Sequence, residues 1–122
     1  MSRLRVNAEI DPANDVDTFS FDVTAGGKVK IDIDHGAGDA QSVDTIITVF
    51  DGNGNFLIDN NDSGKLDPGS VDTRDSFLKI VSFENATYSV DVTSFPNFYD
   101  QSTNMFSGNG GSVGDYTIII HS

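Results

Sequence analysis

The sequence predicts an all-β fold: a jelly-roll-like antiparallel β-sandwich of about eight strands, with residues 1–122 forming a single domain. Three observations predict it. Apolar and polar residues alternate at period two through much of the chain. The alternating runs are short and separated by Gly-, Asn- and Asp-rich turn signals. No stretch shows apolar residues at a helical period, and 122 residues suit one domain rather than two.

The strands follow in order. Residues 5–10 form a first, short one. Residues 17–24 put Phe19, Phe21 and Val23 on one face and Thr18, Ser20 and Asp22 on the other. Residues 28–34 set Val29, Ile31 and Ile33 against Lys28, Lys30 and Asp32. Residues 44–50 (DTIITVF) are apolar on both faces, which suits a central strand. Residues 56–59 are its short partner, across a Gly- and Asn-rich turn bracketed by Phe50 and Phe56. Residues 76–82 (SFLKIVS) add a sixth strand. Residues 86–93 alternate Ala86, Tyr88, Val90 and Val92 with Thr87, Ser89, Asp91 and Thr93. Residues 115–120 (DYTIII) again read as a central strand.

The formal charge is −12, and all the acids except Glu9 and Glu84 are aspartate. Aspartate is a poor strand former but a good turn and metal residue, so the excess belongs in loops. Such a surface repels phosphate backbones and anionic lipid, so no nucleic-acid partner is expected. No apolar run has the length of a membrane-spanning helix, so membrane insertion is not expected either. The chain contains no cysteine, which rules out disulfides, thiolate metal sites and a cysteine nucleophile.

Antiparallel wiring sorts the connections. Short turns at 25–27, 51–55 and 83–85 collect at one end. The long connections 11–16, 35–43, 60–75 and 95–113 collect at the other, with thirteen of the nineteen acids. Long loops on a rigid sandwich are where function concentrates. Calcium takes six to eight oxygen ligands, and a cation turns the mutual repulsion of crowded carboxylates into attraction. Two sets are candidate metal ligands. One is Asp15 and Asp17, flanking the start of the Phe19 strand. The other is Asp44, Asp59, Asn61, Asp62 and Asp75. Ordinary turn-forming aspartates are the competing reading. The run from Asp51 to Asp62 places oxygen-bearing side chains almost as an EF-hand loop does. Phe56 stands where that loop needs glycine and no helices flank it, so the hairpin reading is preferred.

Little supports catalysis. His35 and His121 are the only histidines, and no Gly-x-Ser-x-Gly elbow occurs. The chain is therefore not expected to be an enzyme. Phe98, Tyr99, Asn104 and Phe106 lie in the 95–113 loop with Phe95. Aromatics beside asparagines suit stacking on a sugar or gripping a peptide; the other reading is that they fold back to cap the core.

The ordered motifs DVDTFSFDVTAGGKVKIDID (15–34), DTIITVFDGNGNFLIDNND (44–62), DSFLKI (75–80), ATYSVDV (86–92) and GDYTIII (114–120) resemble the bacterial pre-peptidase C-terminal domain family. The resemblance implies a jelly-roll-like sandwich appended to secreted proteases and collagenases, with similar modules in surface adhesins. Several members bind calcium, and Asp15 and Asp17 match the Asp-x-Asp of the calcium-binding versions. Their acidic linker upstream is replaced here by a strand. Asp11, Asn14 or the 95–113 loop would have to complete that site.

The expected function is a non-catalytic, calcium-binding module of a bacterial secreted or surface protein, an adhesin, placed extracellularly by an export signal outside this chain. It would be monomeric, would contact neighbouring domains of the same chain, and would recognise a peptide, protein or glycan at its loop end. The alternatives are a calcium-rigidified spacer or the C-terminal, collagen-type substrate-binding module of a secreted protease.

Overall fold

A computed structural model describes residues 3–34, 45–60, 77–111 and 113–121. Asp44, Asn61, Asp62 and Asp75 of the candidate ligands, and His35, lie outside the described residues. Ten strands follow one another: β1 (Arg3–Ile10), β2 (Asp17–Val23), β3 (Lys28–Asp34), β4 (Thr45–Phe50), β5 (Phe56–Asn60), β6 (Phe77–Val81), β7 (Ala86–Ser94), β8 (Tyr99–Asp100), β9 (Met105–Phe106) and β10 (Gly114–His121). Eight of them are the strands expected from the sequence, and all pairings are antiparallel.

Two four-stranded sheets form, in the orders β1-β10-β3-β6 and β2-β7-β4-β5. With the small β8–β9 hairpin set aside, consecutive strands mostly switch sheets, which is the wiring of a jelly roll. The described chain begins and ends side by side, since Arg3 pairs with His121 in the β1–β10 ladder.

Period two explains the core. Phe21, Val23, Val29, Ile31, Ile33, Tyr88, Val90 and Val92 point between the sheets and are buried, as their alternation predicts. Ile10, Ile47, Val49, Tyr116, Ile118 and Ile120 complete the same cluster. Each such side chain contributes about 1.5–3 kcal/mol on burial. At the short-turn end the sheets are tied through backbone. The Gly26 N–H donates to the Ser82 carbonyl, the Ser82 N–H donates to the Gly27 carbonyl, and the Ala25 N–H donates to Asn85 Oδ1.

β4 is buried on both faces along its whole length. Ile47 and Val49 face the core; Ile46, Thr48 and Phe50 face the other way, yet are buried too. The 95–111 segment explains this by folding back over that outer surface as a third layer. The Tyr99 ring stands edge-on to Phe50 at 4.9 Å, stacks on Phe56 at 5.9 Å and meets Phe106 at 5.3 Å. Fully buried Asn97 anchors the fold-back. Its carbonyl accepts the Thr93 hydroxyl, and its Oδ1 accepts the Gly108 N–H at 2.7 Å.

Candidate functional site

The long-loop end gathers acids from three strands and one loop. Glu9 is near the end of β1, Asp11 and Asp15 lie in the following loop, Asp17 opens β2, and Asp115 stands near the start of β10. The loop closes on itself: the Asp15 N–H donates to the Pro12 carbonyl at 2.9 Å, and the Asp11 N–H reaches Asp15 Oδ2 at 3.4 Å. Glu9 is directly opposite Asp115 in the ladder. The Asp115 charge, first of all, pushes the Glu9 carboxyl above the usual carboxylate range, with Asp11 and Asp15 adding to it. The rim therefore holds mutually repelling carboxylates.

Asp17 plays a second part. It pairs with Val92, so its side chain points between the sheets, and Tyr116 of the other sheet donates its hydroxyl to Asp17 Oδ2 at 2.6 Å. Burial pushes the Asp17 carboxyl up, the Tyr116 hydrogen bond pulls it down, and the Asp15 charge pushes it up again. Burial first, and then the same bond, hold the Tyr116 phenol well above its ordinary value. A carboxyl that titrates higher folded than unfolded costs stability when charged. That cost is present at neutral pH and disappears as pH falls through the raised value. Tyr116→Phe removes the hydroxyl donor from a partly buried carboxylate. It should lower stability by about 1–2 kcal/mol at neutral pH, and by less as acidification through the raised Asp17 value protonates the carboxyl. Urea unfolding along a descending pH series checks this; a deficit that stays constant on acidification would contradict it.

Asp59 does not join this rim. It is on β5, opposite Thr48, on the outer face of its sheet. β2 and β5 are the two edges of that sheet, so Asp17 and Asp59 stand three strand spacings apart, about 14 Å, and on opposite faces. Among the described residues no group of three His, Cys, Asp or Glu side chains is placed to hold a metal by itself. The near-EF-hand stretch folds as a hairpin turn. Asp51 Oδ1 accepts the N–H groups of Asn53 and Asn55, and these bonds, that from Asn55 foremost, hold its carboxyl below the usual range.

The aromatic loop divides. Tyr99 and Phe106 are half-buried members of the ring cluster over β4 and β5. Asn104 takes a left-handed backbone, φ 56°, at the hairpin turn and accepts the Tyr99 hydroxyl at 3.2 Å. Phe98 is exposed and meets Phe95, also exposed, edge to face at 5.7 Å. Because the hairpin runs down the sheet to Phe50, Asp100 is carried to the short-turn end, away from the rim where loop counting places it. Sequence reasoning also passed over Tyr116 as a partner for Asp17, and Asp91. Burial pushes the Asp91 carboxyl up, while the Thr18 hydroxyl donates to it at 2.6 Å. The signal was a Thr and an Asp that face each other across β2 and β7.

The fold and its rim define a class of protein: an acid-rimmed jelly-roll module with an exposed aromatic pair just ahead of a small added hairpin. The sequence profile described as the bacterial pre-peptidase C-terminal domain matches residues 15–94, from the turn before β2 to the end of β7. The chain belongs to that family. No curated protein matches its sequence. Among solved structures, a chain in the crystal structure of the Aeromonas sobria serine protease in complex with a chaperone is similar, at 12% identity and a TM-score of 0.40. The likeness covers 98% of this chain but only 26% of that one, so this chain spans about a quarter of the solved chain's length.

Proposed function

We propose that the chain is a calcium-binding, non-catalytic accessory module of an extracellular bacterial protein, with an adhesin as its parent. The observation that carries this is the convergence of Glu9, Asp11, Asp15, Asp17 and Asp115 on one rim, where the charge of Asp115 and its neighbours raises the Glu9 carboxyl. The donors are hard oxygens throughout, which fits calcium and not a soft-ligand metal. Asp15 and Asp17 would hold the ion, with Asp11, Asn14 and backbone carbonyls as further oxygens. Asp59, with Asp44, Asn61, Asp62 and Asp75, would form the separate second set. Membership of a family named for its place at the C-terminus of pre-peptidases supports an appended, extracellular role. The 95–111 segment lies outside the matched stretch, and its exposed Phe95–Phe98 pair is the surface this reading assigns to recognition of a peptide or glycan.

Thermal unfolding with calcium and with chelator tests the ion. One site at a hundredfold excess of calcium over its dissociation constant adds about 2.7 kcal/mol, a rise of about 10–20 °C in a domain near this size. Asp15→Asn should shrink the rise, because it removes a charge from the proposed ligand set while leaving the Asp17–Tyr116 bond in place. An unchanged midpoint at low-millimolar calcium removes calcium from the proposal.

A further inference from the structure

An asparagine followed by glycine is open to attack by its own backbone, because glycine has no Cβ to shield the nitrogen that reaches the asparagine side chain. The chain holds two such pairs, Asn53–Gly54 and Asn109–Gly110, and glycine also precedes each asparagine. Both asparagines are exposed and lie outside the strands. Local sequence therefore ranks the two sites equally; the backbone around them does not. Asn53–Gly54 is tied down. The Gly54 N–H donates to the Asp51 carbonyl at 3.1 Å, and the N–H groups of Asn53 and Asn55 both donate to Asp51 Oδ1 at 2.9 Å. Attack by the Gly54 nitrogen has to break its own hydrogen bond and turn a loop that Asp51 holds.

At Asn109–Gly110 the attacking atom is not held. Around it, the Ser107, Gly108 and Gly111 N–H groups donate to the Phe98 carbonyl at 3.0 Å, Asn97 Oδ1 at 2.7 Å and the Phe95 carbonyl at 2.9 Å. The Asn109 N–H reaches Ser107 Oγ at 3.4 Å. The Gly110 N–H has no hydrogen-bond partner among the described residues. The returning segment is thus pinned on either side of an unbonded amide, and that amide follows an exposed asparagine.

We propose that Asn109 is a self-modification site, at which the Gly110 nitrogen attacks the Asn109 side chain and the isoaspartate that results loosens the 95–111 layer over β4. The new bond joins the Gly110 nitrogen to the side-chain carbonyl carbon and closes a succinimide ring. The Gly110 N–H proton passes to solvent, and the side-chain nitrogen leaves as ammonia. Water then adds to either ring carbonyl and opens it. One opening gives aspartate; the other gives isoaspartate, in which the main chain runs through the former side chain. Overall an amide and water become a carboxylic acid and ammonia, so water is the one co-reactant. Nucleophile and carbonyl belong to adjoining residues, which makes the closure unimolecular. Isoaspartate lengthens the main chain by a single carbon where there is no slack. Gly108 and Gly111 are tied to Asn97 and Phe95, and a Cβ on Gly110 would overlap the Ala13 carbonyl oxygen. The added carbon has to push the segment off the 11–16 loop or release one of those ties. Aspartate brings the same charge without the extra atom.

Ageing the full chain in chelator at mildly alkaline pH tests this independently of calcium, with peptide mass spectrometry and an isoaspartate methyl-acceptor assay as the readouts. In the folded chain, conversion at Asn109 should run at least roughly fivefold faster than at Asn53, the rate equivalent of one net hydrogen bond. In concentrated urea both sites lose their surroundings, and the two rates should become equal. The isoaspartate form, separated by ion exchange, should unfold at a lower midpoint than Asn109→Asp, which carries the charge alone. Conversion at Asn109 no faster than at Asn53 in the folded chain overturns the proposal. So does a rate difference that persists in urea, or an isoaspartate form as stable as Asn109→Asp.

Discussion

Tyr99→Ala should lower the stability of the chain by about 2–4 kcal/mol, a fall of roughly 8–25 °C in the unfolding midpoint. Tyr99 is the hub of the ring cluster: it touches Phe50, Phe56 and Phe106, while Phe50 and Phe56 also meet edge to face at 6.4 Å. Truncation to alanine leaves a void between the hairpin and the sheet and exposes the outward face of β4. The upper end of the usual range for an aromatic truncation is not expected, because the ring is only half-buried. Tyr99→Phe keeps the ring and gives up only the exposed bond to Asn104. It should stay within about 0.5 kcal/mol of the original, the low end for a single hydrogen bond. Phe98→Ala is the functional counterpart. Phe98 touches Phe95 at the surface, so its loss should cost about 1 kcal/mol or less. Binding of the calcium-loaded chain to peptide and glycan arrays, lost in Phe98→Ala while the midpoint holds, would place recognition on that pair. A Tyr99→Ala chain as stable as the original would mean the hairpin does not roof the sheet.

Gly110→Ala should have a comparable effect by the opposite route. A Cβ at this position would overlap the carbonyl oxygen of Ala13 and press within 3.3 Å of the Ser94 side chain. The obstacle is backbone, so it cannot rotate away, and the 11–16 loop or the returning 108–111 segment must move. Overpacking of this kind costs typically 1–3 kcal/mol, and a backbone obstacle puts the cost at about 3 kcal/mol. The loop that must move carries Asp11 and Asp15, so the calcium-dependent stabilisation proposed above should fall along with basal stability. Gly108→Ala is the control. Its φ of 79° penalises a side chain, but a Cβ there meets nothing within 4 Å. It should cost about 1 kcal/mol and leave the calcium response unchanged. Urea midpoints with and without calcium separate the two variants. Equal midpoints would remove the argument from close packing at Ala13.

Period two made the eight sandwich strands legible, because a half-buried strand must alternate. It failed at β8 and β9, which are two residues each and too short to alternate. A trace of that hairpin was nonetheless present in β4. Residues 45–50 are apolar on both faces although one face is outside the sandwich, so something had to cover Ile46, Thr48 and Phe50. The aromatic run Phe98, Tyr99 and Phe106 was available to do so. The rim acids were legible as a group because antiparallel connections must return to the same end. The parity that turns Phe19 inward puts Asp17 on the same face, but what it meets there was not legible. Asp17 faces Tyr116 across the two sheets, ninety-nine positions later in the chain. Such a pair emerges only when both sheets are stacked, since nothing local links the two residues. Asp59 was grouped by the end of the strand it occupies, but end alone does not fix face or edge. Its separation from Asp17 follows from the sheet order, in which β2 and β5 are furthest apart.

The pairing of Arg3 with His121 has a mechanical side. When a jelly roll is held by both ends of its chain, tension enters where those ends meet. Here they meet at one end of a single antiparallel ladder. A pull at both ends therefore acts across β1 and β10 and parts their hydrogen bonds one after another, as a zip opens. The other sheet, with the roofed strand β4 and the β8–β9 hairpin, stays outside the line of force until β1 or β10 has peeled away.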